Sequence, residues 1–399
     1  MVENHPDIIN NSTKKNRRYS SGRRTAREIL LLCASADINP EQKDYLSGLL
    51  SGTADWDYLL ELAEFNGITP LVAHTIVAGG LSDLIPQHYL DKLNQVYNGT
   101  LYKNIIFSNE LTNILEAFSK GGIDAIALKG TVLAEQLYGN PALRSIVDID
   151  ILVKPEQLSK ASALLIEMGY SASTEKQERE HPFHDTYFRQ VQFPLFVELH
   201  WNLDDSRLIG GQRKEIWERA QSVAGSAVRV LSPEDNLLFL SNHLTKQDDQ
   251  LLKCLGDIVK LLKKYNGTLD WDYVIQSSRS CSIENSVYYC LKLAHELLGG
   301  PLPAADISVL QPKKWRRFLQ DFLVSREHYI TPSRLQHLRY ETFTVFRSLM
   351  MRNCSQMGTV LTRYRGSRAI WGWLKTYLWI FLVSGAALGR NIARMVCPR

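Results

Sequence analysis

Apolar positions along this chain change their period twice. From Ala26 to about Lys120 they recur at helical spacing, as in Leu59, Leu60 and Ala63 and again in Leu111, Ile114, Leu115 and Phe118. Between Gly121 and about Leu208 the pattern becomes short apolar runs with β-branched residues, at 123–128, 146–153, 186–191 and 196–201, which read as strands. From Pro233 the helical period returns in PEDNLLFLSNHLTK, LLKCLGDIVKLLKKYNG and ENSVYYCLKLAHELLGG. The pattern predicts an α+β fold, a small mixed sheet of about four strands flanked by N- and C-terminal helical regions.

Punctuation sharpens these limits. Asp55 is placed to cap a helix that Gly67 stops, and Pro70 sits near the start of the next. Thr131 is placed as the N-cap of a helix running to Tyr138, and a helix from Pro155 to Met168 closes at Gly169. The segments ADWDYLL and LDWDYVI echo each other as two Asp-capped helices with a Trp buried near the start. The expected division is a disordered basic arm over 1–25, helices over 26–120, a sheet core over 121–208, helices over 209–305 and a basic tail over 306–399.

Composition adds three constraints. A chain of 399 residues with 45% hydrophobic and 22% charged content can bury a sizeable core. Its six cysteines form no CxxC pair, which argues against a disulfide frame or a zinc site, and the polar N-terminus lacks an apolar leader; a cytoplasmic protein is expected. Charge is uneven: +4 over 1–25, −13 over 26–310 and +13 over 311–399. The acidic body speaks against a long nucleic acid over the active site. Within the tail, 369–389 is apolar apart from Lys375, with flanking arginines and interfacial aromatics. It reads as a buried terminal helix or, in the alternative, as a peripheral membrane contact or a membrane span of borderline length.

The chemistry concentrates between Ile126 and Val153. Asp148 and Asp150 stand at i and i+2 in an otherwise apolar strand, so both carboxylates face the same way. Crowding two like charges needs compensation, and a hard divalent cation with a preference for oxygen ligands supplies it. Upstream, Gly130 allows close backbone approach to a phosphate, and Lys129 and Arg144 are the nearby cations. Glu198 follows on a later strand. His184, His200, His243 and Asp257 are further candidates for a substrate pocket.

Together LKG, LYGNPALRSIVDIDILV, a following helix ending MGY, VELHW and the later LGDI resemble a bacterial family of uncharacterised nucleotidyltransferases, within the polymerase-β-type superfamily. That superfamily carries a strand ending in Gly-Ser, a helix, and then Asp-x-Asp with a third acid on a later strand. Here the turn is Gly130-Thr131, with Thr in place of Ser, the pair is Asp148 and Asp150, and Glu198 is the third acid. The resemblance implies two Mg²⁺ or Mn²⁺ ions held by Asp148, Asp150 and Glu198. It also implies an NTP, with ATP expected, held by Lys129, Gly130, Thr131 and Arg144, and transfer of a nucleoside monophosphate to a hydroxyl acceptor. An Asp-x-Asp glycosyltransferase needs neither the third acid nor the glycine turn, and a non-catalytic nucleotide-binding module predicts a broken acid set; all three acids are present.

Overall fold

A computed structural model describes residues 21–35, 37–172, 183–203, 214–223, 228–244, 250–303, 307–314 and 317. The arm over 1–20, His181, Lys246 and the apolar stretch 369–389 lie outside the described residues. Residues 21–25, expected in the disordered arm, are instead helical. No helix among the described residues is long and apolar enough to cross a membrane.

The chain opens with α1 over 21–33, α2 (Pro40–Leu50), α3 (Trp56–Phe65), α4 (Thr69–Ala78) and the long α5 (Gln87–Lys120). The core follows as β1 (Ala125–Ala127), α6 (Thr131–Leu133, continued by a π-turn Ala134–Tyr138), β2 (Ile149–Val153), α7 (Leu158–Glu167), β3 (Ser171–Ala172), β4 (His184–Gln190) and β5 (Pro194–His200). After α8 (Lys214–Arg219) come β6 (Gln221–Ser222) and β7 (Arg229–Val230), and then α9 (Pro233–Leu244), α10 (Leu251–Lys264), α11 (Trp271–Ser280) and α12 (Glu284–Leu298).

Seven strands form one mixed sheet in the order β3-β4-β5-β2-β1-β7-β6. Four strands were expected. The extra pairs come from segments two residues long, too short to show an alternation, and one pair lies in a stretch expected to be helical. Central β2 runs parallel to β5 and antiparallel to β1. One sheet face, carrying Ala125, Ala127, Ile149, Ile151, Val153, Val197 and Leu199, packs on Phe107, Leu111, Ile114 and Phe118 of α5 and Ala161 and Leu165 of α7. The opposite face sends Ile126, Leu128 and Leu152 into a second core built with the N-terminal and C-terminal helices. Helix α5 belongs to both, through Leu93 at one end and Phe118 at the other.

Capping follows the local chemistry. Asp55 accepts a hydrogen bond from the Tyr58 amide at the start of α3, and Asp270 accepts one from Tyr273 at the start of α11. Trp56 and Trp271, expected to be buried, are only half-buried. Thr131 is not a cap. Gly130 holds that place at φ 68 and ψ −118, a conformation open to glycine alone, so the helix begins at Thr131 itself.

Candidate active site

Strand alternation aims the site. Ile149, Ile151 and Val153 point into the α5–α7 core, which leaves Asp150 and Leu152 on the other face. Asp148 lies one residue before β2, at its mouth, rather than within the strand. Because β5 runs parallel beside β2 with Glu198 opposite Asp150, the third acid arrives next to the pair. Ligand oxygens of Asp148, Asp150 and Glu198 all lie within 4.8 Å of one another. In the antiparallel β4–β5 ladder His184 stands opposite His200, two residues from Glu198 and on the same face.

Three clustered carboxylates meet limited positive charge. Lys129 Nζ lies 3.0 Å from Asp150 Oδ1 and 3.9 Å from Asp148 Oδ2. His200 Nε2 lies 3.1 Å from the same Asp150 Oδ1 and 3.3 Å from Glu198 Oε2. Loss of hydration and then the Asp150 charge push the Asp148 carboxyl up to about 6, against the pull of Lys129. Burial also works against an ionised Glu198, but the hydrogen bond from His200 and the charges of Lys129, His200 and His184 hold its carboxyl well below the usual range. Burial would discharge Lys129; the three acids outweigh it and keep the ammonium charged. His200 is likewise lifted to about 8, its loss of hydration outweighed by Asp150 and Glu198.

Asp150 is 2% exposed, and its Oδ2 is buried with no hydrogen-bond partner among the described residues. A buried carboxylate oxygen without a partner is costly. Beside two more carboxylates it is a ready ligand for a hard divalent cation, so the donor set fits Mg²⁺ or Mn²⁺.

The turn ahead of the acids is held from several sides. A Cβ on Gly130 would sit 3.3 Å from the Asp148 carbonyl oxygen, so the bare glycine lets the two segments approach. Asn104 of α5 donates to the Arg144 carbonyl at 2.7 Å, and Ser145 Oγ donates to the Gly67 carbonyl at 2.9 Å. Arg144 itself does not reach the acid trio. Its Nε and Nη2 grip Asp257 of α10 at 2.9–3.1 Å, its Nη1 donates to the Gly130 carbonyl at 3.4 Å, and Tyr138 adds an O–H bond to Asp257 at 2.9 Å. Two expected site residues 113 positions apart are thus each other's partners.

Two cations escaped the sequence reading. Lys253 of α10 is buried beside Gly67 and Gln250, one helical turn before Asp257, and its charge bears on Asp148. Loss of hydration, then the Arg144 charge, lowers its pKa. A lysine inside the apolar stripe of α10 is the signal that could have found it. Lys103 of α5 lies over the Phe107 and Phe193 rings, 5.1 and 5.9 Å from their centres, and feels the Asp148 charge. His243 of α9 keeps part of its surface open. Loss of hydration and the Lys129 charge nevertheless push its imidazole well below the ordinary value.

The family described as uncharacterised nucleotidyltransferase matches residues 52–299. An antigenic nucleotidyltransferase-like protein from Paracoccidioides brasiliensis aligns over 50% of this chain and 94% of its own, at 13% identity and a TM-score of 0.32, a likeness too slight to carry fold or function. No curated protein matches the sequence.

Proposed function

Since the chain belongs to the uncharacterised nucleotidyltransferase family, we propose that it is a metal-dependent enzyme that transfers a nucleoside monophosphate, AMP, from an NTP to an acceptor hydroxyl and releases pyrophosphate. The observation that carries this reading is buried Asp150, whose Oδ2 has no hydrogen-bond partner and whose carboxylate is grouped with those of Asp148 and Glu198, ligand atoms within 4.8 Å. Asp148, Asp150 and Glu198 would hold the divalent ions. When bound, such ions neutralise charge on the transferred phosphate and make the attacking hydroxyl more acidic.

The chain's own groups do the rest. Lys129, Lys253 and Lys103 supply positive charge around the acids for the triphosphate, and the bare backbone at Gly130 admits it closely, with the Thr131 hydroxyl beside it. Glu198, held ionised, accepts the proton of the acceptor hydroxyl. Arg144, bound bidentately by Asp257, locks the turn and the α10 wall in place rather than gripping phosphate. His243 lines the neighbouring wall as a neutral imidazole. A body carrying −13 over 26–310 favours a small-molecule, peptide or protein acceptor over a long nucleic acid.

The test is incubation with each α-labelled NTP, Mg²⁺ and a cell extract. Label from ATP enters an acceptor with the parent protein and not with Asp150→Asn. Equal labelling by both proteins refutes the assignment.

A further inference from the structure

Glu198 has a second set of neighbours. His184 Nε2 lies 3.7 Å from Glu198 Oε1, and His200 Nε2 lies 3.3 Å from Glu198 Oε2. The three ligand atoms of His184, Glu198 and His200 lie within 4.8 Å of one another, as do those of the acid trio. Both histidines are buried, at 7% and 3% exposure, and their rings stand 4.8 Å apart. The register enforces this arrangement. His184 is directly opposite His200 across β4–β5, and Glu198 is two residues along the same strand.

We propose that His184, Glu198 and His200 form a nitrogen-rich site for a divalent transition-metal ion, Mn²⁺ or Zn²⁺, which shares Glu198 with the oxygen-rich site of Asp148, Asp150 and Glu198. The proposal rests on the reading of the acid trio as a metal site only in the shared carboxylate. Donor atoms around one ion with bonds of about 2.0–2.1 Å lie about 3–3.5 Å apart, and the Glu198 carboxylate presents one oxygen to each histidine at comparable range, Oε1 at 3.7 Å from His184 and Oε2 at 3.3 Å from His200. The single Nε2 of His200 faces carboxylate oxygens of both Asp150 and Glu198, and one N–H cannot point at both; a cation bound by the Nε2 lone pair of the neutral ring takes the place of that N–H and attracts both oxygens. Two imidazoles and one carboxylate leave coordination positions open for substrate or water, as in catalytic rather than structural sites. Mg²⁺ takes oxygen ligands and competes poorly for such a set. The two halves of one site therefore differ in preference: Mg²⁺ is confined to the oxygen-rich half, and the nitrogen-rich half favours a transition-metal ion.

Metal-stripped full-length protein is titrated with Co²⁺ in the presence of excess Mg²⁺ and no nucleotide, and the visible absorption of nitrogen-ligated Co²⁺ is followed. Absorption that saturates at one ion per chain and resists Mg²⁺ supports the site. His184→Gln lowers the Co²⁺ affinity at least about tenfold, whereas Asp148→Ala leaves it in place. Pulsed EPR of the Mn²⁺-loaded parent shows ¹⁴N coupling from two imidazoles, a readout that needs no variant. Displacement by Mg²⁺, or Mn²⁺ without ¹⁴N coupling, overturns the proposal. Absent nucleotide transfer with ¹⁴N coupling intact would count against the enzymatic reading alone.

Discussion

Two buried acids in this protein sit in opposite circumstances. Asp257, fully buried on α10, has a complete set of partners: a bidentate guanidinium from Arg144 and the hydroxyl of Tyr138. Asp150, nearly as buried on β2, shares one oxygen with Lys129 and His200, leaves the other without a hydrogen bond, and has two more carboxylates beside it. A carboxylate whose lone pairs are filled has no capacity left for a ligand, and removing its partner strands a charge. A carboxylate short of cations is a place where one can bind. Burial and charge are alike in the two; the number of satisfied lone pairs separates scaffold from reactive centre.

The largest expected effect probes the reactive half. Asp150→Ala lowers metal-dependent transfer by at least about 10³-fold, about 4 kcal/mol in the barrier, while chemical denaturation shows the metal-free protein no less stable than the parent, because a crowded like charge is gone. A parental rate of pyrophosphate release from this variant would remove the distinction. Next comes the scaffold half. Arg144→Ala leaves Asp257 buried and unpaired and costs about 3–5 kcal/mol in denaturant unfolding; Arg144→Met with Asp257→Leu recovers most of it. A destabilised double variant would show that the pair does more than balance charge.

Smaller is Gly130→Ala, expected to cost about 1–3 kcal/mol because φ 68 is strained for any side chain and the new Cβ presses on the Asp148 carbonyl. Its transfer rate should fall further than its stability explains, read from kcat at a temperature where the variant is folded. Smallest is a pH effect at His243. Its folded pKa lies below the unfolded value of about 6.5, so the unfolded chain takes up the proton first. Stability is therefore complete above about pH 6.5 and declines as pH falls towards the folded value. His243→Gln makes that decline shallower, measured by urea unfolding between about pH 5 and about pH 7; an unchanged slope would mean the imidazole is already solvated.

Local pattern alone determined much of this protein. Helical spacing marked α3, α5, α10 and α12, the aspartates at 55 and 270 announced two helix starts, and the alternation around Asp148 and Asp150 marked the reactive strand. Such features repeat every two to four residues and are written by neighbouring side chains acting on one backbone. The tertiary structure decided the pairings. Parallel register set Glu198 beside Asp150, antiparallel register set His184 against His200, and helix packing carried Lys253 and Asp257 to the turn that Arg144 locks. Those partners lie from 16 to 113 residues apart. Their meeting depends on how whole layers fit together, and no local period encodes that.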